Sequence, residues 1–115
     1  KSKRYDISKE SIIALGKIGG KESARLIGEI LSDTASVSLK EECVKSLFAM
    51  RTKRANVTLG RSFSKGSFQQ RVNILRSLDS IGDSRAKRIK ERLYKRVKPD
   101  ERERLKKKIK ENIWD

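Results

Sequence analysis

Ala14-Leu15-Gly16-Lys17-Ile18-Gly19-Gly20 runs directly into Lys21-Glu22-Ser23-Ala24-Arg25-Leu26-Ile27-Gly28-Glu29-Ile30-Leu31-Ser32-Asp33. A helical spacing of apolar residues ends at two glycines and resumes at once. Glycine adopts the left-handed backbone that a helix C-terminus needs, so the pair marks a stop. The renewed pattern of Ala24, Ile27, Ile30 and Leu31 predicts a second helix folded straight back on the first. Ser77-Leu78-Asp79-Ser80-Ile81-Gly82-Asp83 places the same device further along the chain.

The two stretches belong to a repeat. Aligned on Ala14-Leu15, Ser46-Leu47 and Ser77-Leu78, the segments are offset by 32 and then 31 residues. Ile7, Leu39 and Gln70 share one column. Ser8, Lys40 and Arg71 share the next, Ser11, Cys43 and Ile74 a third, and Ile18, Met50 and Ile81 a fourth. A period near thirty with two helical patterns per unit is the signature of a solenoid. The predicted inner face of the first helix is Ile7, Ser11, Ala14, Leu15 and Ile18. The second unit reads Leu39, Cys43, Leu47 and Met50, then Val57, Leu59 and Phe63. The third reads Val72, Ile74, Leu75, Leu78 and Ile81, then Ala86, Ile89, Leu93 and Val97. Pro99, Asp100, Glu101 and Glu103 suit the start of one more helix, whose narrow stripe is Leu105, Ile109 and Ile113 or Trp114.

The segment from Ala14 to Asp33, with Leu39-Lys40 to Met50 and Gln70-Arg71 to Asp83, resembles the short HEAT-like repeats, including those of bilin-lyase type. The resemblance covers about residues 5–97. It implies an all-α, right-handed superhelical solenoid of about three helix pairs, at 5–33, 37–65 and 67–97, closed by a capping helix at 99–114. These would form a single domain over 1–115. The second unit departs from the pattern, since Met50-Arg51-Thr52-Lys53-Arg54-Ala55-Asn56 holds no glycine. Such scaffolds serve many functions, so the resemblance bears on architecture and not on activity. Because the chain starts at Lys1 and not at Met, it is expected to be a fragment or a processed product.

The composition agrees with a thin, helical core. Hydrophobic residues make up 35% and charged residues 39%, aromatics only 5%, with one proline. No signal peptide or membrane-spanning stretch is legible, and the compartment stays open. There is no histidine, which excludes His-based acid–base chemistry and the usual zinc sites. It also removes the His-Glu pairs of the HEAT-like hydroxylases. The aromatic groove of the HEAT-fold DNA glycosylases has no counterpart, Trp114 being the one tryptophan. Cys43, on an inward column, reads as a core residue. Asp33, Asp79 and Asp83 read as turn and cap residues. Gly60 to Phe68 has loop composition but lacks the Gly-Lys-Ser/Thr end of a phosphate-binding loop. No catalytic residue, metal or cofactor is expected.

Charge carries the functional signal. Residues 1–50 hold nine Lys/Arg against seven Asp/Glu, and residues 51–115 hold twenty-one against eight. If Ala86, Ile89, Leu93 and Val97 turn inward, Arg85, Arg88, Arg92 and Arg96 follow one another along an adjacent face, extended by Lys95. Arg51, Lys53, Arg54 and Arg61 are their counterparts in the second unit. The HEAT-like resemblance puts the second helices on the concave surface, where these nine cations would form a ridge. The expected function is a non-enzymatic scaffold that holds an acidic protein partner. The alternatives are nucleic acid or an anionic membrane surface, bound through the same residues, and a merely solvated face.

Overall fold

A computed structural model describes residues 7–111. They form seven helices: α1 (Lys9–Ile18), α2 (Gly20–Asp33), α3 (Val37–Met50), α4 (Lys53–Lys65), α5 (Phe68–Ile81), α6 (Ser84–Tyr94) and α7 (Pro99–Glu111). No strand occurs among the described residues. The chain divides into two compact units, one up to Ser62 and one from Phe63 onward. In the first, α1, α2 and α3 pack on one another. In the second, α5 packs against α6 and α7.

Short polar caps and left-handed residues set the helix ends. Ser8, Ser36 and Ser67 accept from the N–H groups of Ser11, Leu39 and Gln70 at 3.1–3.2 Å. Thr52 and Asp83 do the same for Ala55 (3.1 Å) and Ala86 (2.8 Å). Each satisfies a donor that has no partner inside its helix. Gly19 (φ 71°, ψ −170°) and Gly20 (φ 87°) turn α1 into α2, and Gly82 (φ 73°) ends α5. The second unit of the repeat has no glycine here, and Arg51 itself adopts the left-handed conformation at φ 56°, ψ 30°. The Gly60–Phe68 stretch is not a loop. Its first half completes α4 and only 66–67 separate α4 from α5. A loop composition was overridden by Leu59 and Phe63, both buried, at helical spacing.

The helices α1, α3 and α5 end at Ile18, Met50 and Ile81, which are the sequence columns 32 and 31 residues apart. The period continues further than the sequence alignment carried it. The helices α3, α5 and α7 start at Val37, Phe68 and Pro99, 31 residues apart each time. Cys43, Ile74 and Leu105 share a buried column, and Leu47, Leu78 and Ile109 another. The helix α7 therefore shares the register of α3 and α5. Val44 and Leu75 are buried, and the next residue in their column is Lys106, exposed to solvent. The helix α7 keeps two buried columns of α3 and α5 and carries charge in a third that α3 and α5 bury.

The opposite end shows the converse. Of the expected inner face of α1, Ser11 and Ala14 are exposed and Ile18 is 75% exposed. Leu15 is half-buried. The residue of α1 that is fully buried is Ile12, in the column of Val44 and Leu75. The helix packs on α2 and α3, and Gly16 lies close against Ser46. No helix among the described residues precedes α1, and its exposed residues include Ser11, Ala14 and Ile18. In the other helices the predicted core holds at Ala24, Ile27, Ile30, Leu31, Cys43, Leu47, Leu59, Phe63, Val72, Ile74, Leu75, Leu78, Ala86, Ile89, Leu93, Val97, Leu105 and Ile109. Leu39, Met50 and Ile81 are half-buried, and Val57 is 40% exposed; Ala55, on the other side of α4, is buried instead. Ile113 and Trp114 lie outside the described residues.

Candidate interaction site

Part of the positive charge is structural. Lys40, Arg71 and Arg102 recur every 31 residues, each in the second turn of its helix. Lys40 Nζ donates to the Leu31 carbonyl at the end of α2 (3.0 Å). Arg71 Nε donates to the Phe63 carbonyl (2.9 Å) and Nη2 to that of Ser64 (2.8 Å), at the end of α4. Arg102 Nε and Nη2 donate to the carbonyls of Tyr94 (3.0 Å) and Val97 (3.2 Å), at and beyond the end of α6. The last carbonyls of a helix lack intrahelical donors and carry partial negative charge, so a cation there satisfies both. Arg71 also pairs with Glu101 of α7 (2.5 Å), and Lys90 with Asp79. Burial holds the Lys40 ammonium below the ordinary lysine pKa, against the pull of Cys43 and Asp33. Sequence reasoning passed over these three cations as a set. Their 31-residue recurrence, continued into the tail, was the legible signal.

The nine cations singled out from the sequence fall in two places. In the first unit, Arg51 sits in the left-handed turn, Lys53 and Arg54 in the first turn of α4, and Arg61 further along it, all exposed. Arg54, Val57 and Arg61 follow one another at i, i+3 and i+7, so the exposed valine lies between two arginines. Cations beside a helix N-terminus oppose its dipole, and this end of α4 has no acidic residue to offset them.

In the second unit, Arg88 and Arg92 are exposed at i and i+4 on α6. Lys87 and Lys95 are exposed beside them. None of these four makes an ion pair among the described residues. The stripe of four arginines on one helix is not formed, because α6 ends at Tyr94. Arg85 is half-buried with Nε in the interior. Arg96, beyond the helix, turns back to donate from Nη1 to Ser64 Oγ at 2.8 Å.

The remaining candidates for chemistry have structural occupations. Cys43 is fully buried, and desolvation pushes its thiol up to about 12. Asp83 caps α6 and Asp79 holds Lys90. In the first unit an open cleft of about 560 Å³ lies between α1 and α3, with Ile13, Ala49 and Met50 on its apolar side and Lys17, Glu42 and Lys45 at its rim. Among the described residues no group of three or more His, Cys, Asp or Glu is placed to hold a metal ion. No described helix is long and apolar enough to cross a membrane. Comparison of the chain with protein-family models, curated proteins and solved structures finds no match.

Proposed function

We propose that this chain is a non-enzymatic interaction module of stacked HEAT-like helix pairs, and that the exposed cations of α6 hold an acidic protein partner. The stacking is supported by the 31-residue recurrence of helix starts, buried columns and end-capping cations. Small-angle scattering that fits a closed four-helix bundle and not an extended right-handed array would overturn it.

The single observation that carries the binding reading is the division of labour among the cations. Lys40, Arg71 and Arg102 are committed to helix ends, and Lys90 to Asp79. Lys87, Arg88, Arg92 and Lys95 stand in solvent with no ion-pair partner among the described residues, around the single exposed carboxylate of Glu91 on the same helix. Like charges on neighbouring turns repel, and an anionic ligand relieves that repulsion. Base stacking on single strands needs exposed aromatic faces. Among the described residues Phe48, Phe63 and Tyr94 are buried and Phe68 is half-buried with Arg104 over its ring, which favours an acidic polypeptide over single-stranded nucleic acid.

Fluorescence anisotropy tests the assignment with two labelled probes, an acidic glutamate-rich peptide and duplex DNA. The Arg88→Gln/Arg92→Gln double variant should weaken peptide binding at least tenfold, and DNA binding should be lost near physiological salt. DNA binding that persists there, with a log–log salt slope near −0.9 per phosphate, would replace the protein reading with a polyanion one. Peptide binding indifferent to the double substitution would remove α6 from the site.

A further inference from the structure

The second unit carries uncommitted charge on α7 as well as on α6. Residues 104–110, Arg-Leu-Lys-Lys-Lys-Ile-Lys, hold five cations and no anion. Leu105 and Ile109 are buried and Lys108 is half-buried, which leaves Arg104, Lys106, Lys107 and Lys110 exposed. Two of these four lie on aromatic rings. Arg104 stands over Phe68 of α5, 5.5 Å from the ring centroid, and Lys106 over Tyr94 of α6 at 5.1 Å. Lys107 and Lys110 make no ion pair among the described residues. Glu103 and Glu111, four residues to either side of Lys107, are exposed and unpaired with it. The repeat sharpens the contrast. Val44 and Phe48, one turn apart on α3, are buried, and two periods later the same columns hold Lys106 and Lys110. Any polar residue there would keep the face in water. Lysines on adjacent turns also repel one another, and an anionic ligand relieves that repulsion.

We propose that this face of α7 is the second half of the α6 site, so that one acidic polypeptide runs from Arg88 and Arg92 onto Lys107 and Lys110. The inference rests on the reading of α6 given above. Lys106 is the link between the helices. Its ammonium lies on the ring of Tyr94, the last residue of α6, and Lys110 follows it one turn along α7. On α6, Tyr94 shares a face with Lys87 and Glu91 at i, i+4 and i+7, and Glu91 acts electrostatically on Tyr94. The positive end of α7 therefore stands beside the basic strip of α6. The two helices offer different donors. A guanidinium holds a carboxylate with two parallel bonds and fixes its position. An ammonium is a point charge on a flexible stem and attracts carboxylates of varied spacing. The arginines of α6 thus set where the partner begins, and the lysines of α7 hold the acidic residues that follow without demanding a register.

The test measures binding of the labelled glutamate-rich peptide to the whole chain by fluorescence anisotropy, with three double variants. All the side chains replaced are exposed, so none is needed for the core. Lys107→Gln/Lys110→Gln should weaken the peptide about threefold or more, the loss expected of two exposed ion pairs. Lys17→Gln/Lys21→Gln takes the same charge from the first unit and should weaken it less. Arg88→Gln/Arg92→Gln reports on the α6 reading alone. If the α6 variant weakens binding and the α7 variant does no more than the first-unit variant, the extension onto α7 is wrong and the α6 reading stands. If the α6 variant changes nothing, both readings fall, whatever the α7 variant does. Duplex DNA held near physiological salt, and released by Lys107→Gln/Lys110→Gln, would reassign the face to a polyanion and overturn the proposal too.

Discussion

Arg51 is a residue whose conformation, not its chemistry, sets a turn. A non-glycine side chain in the left-handed region costs about 1–2 kcal/mol, yet here it joins α3 to α4. Arg51→Gly relieves that strain while adding freedom to the unfolded chain, so urea denaturation should show a net gain of up to about 1 kcal/mol. Arg51→Val, β-branched, should lose about 1 kcal/mol or more. Equal midpoints for the two would contradict the left-handed assignment. Cys43 is the other residue-scale case. With its thiol pushed up to about 12 by desolvation and no access to solvent, it should resist an aromatic disulfide reagent at pH 8. Modification at the rate of a free cysteine in the native protein would show that its column is open. The inward placement of Cys43 was legible from periodicity alone. The backbone of Arg51 was not, because arginine carries no turn signal.

At the scale of the helices, three cations fasten successive ends, and their bonds are unequal. Arg71 makes two bonds to carbonyls and one to Glu101, Arg102 makes two to carbonyls, and Lys40 donates to the Leu31 carbonyl. Hydrogen bonds to a charged group contribute about 1.5–3 kcal/mol each, less when exposed. Substitution by Met keeps much of the aliphatic stem and removes the donors. Thermal unfolding should therefore show a greater loss for Arg71→Met, at about 3 kcal/mol, than for Arg102→Met. A reversed order would mean that packing of the stems, not the helix-end bonds, decides their worth. The helix boundaries at Ile18 and Ile81 were readable because glycine is a strong stop. The continuation of α4 to Lys65 was not, since Gly60, Ser62, Ser64 and Gly66 weigh against a helix locally and only the burial of Leu59 and Phe63 outweighs them. On the site, Arg88 and Arg92 were legible as exposed cations. The fate of Arg85 and Arg96 turned on where α6 stops.

For the whole chain, position along the repeat governs what a substitution costs. Leu15, Leu47 and Leu78 share a column, but Leu47 and Leu78 are fully buried and Leu15 is not. Leu47→Asp and Leu78→Asp should each cost about 3 kcal/mol or more, by burying an unpaired charge, whereas Leu15→Asp should cost about 1 kcal/mol. Urea midpoints measure all three, and a Leu15→Asp loss as large as the others would mean that α1 is covered on its outer side. The sequence by itself determined the helical class, the period, the stops at glycine and the inner columns of the middle units, because each follows from contacts within a turn or two of chain. It did not determine which columns of α1 stay open, that α7 repeats the register of α3 and α5, or which cations are held at helix ends. Those depend on the neighbour each helix finds in space. The same side chain is core where another helix covers it and surface where none does, and the same guanidinium is a fastening or a free charge according to whether a helix end lies within its reach.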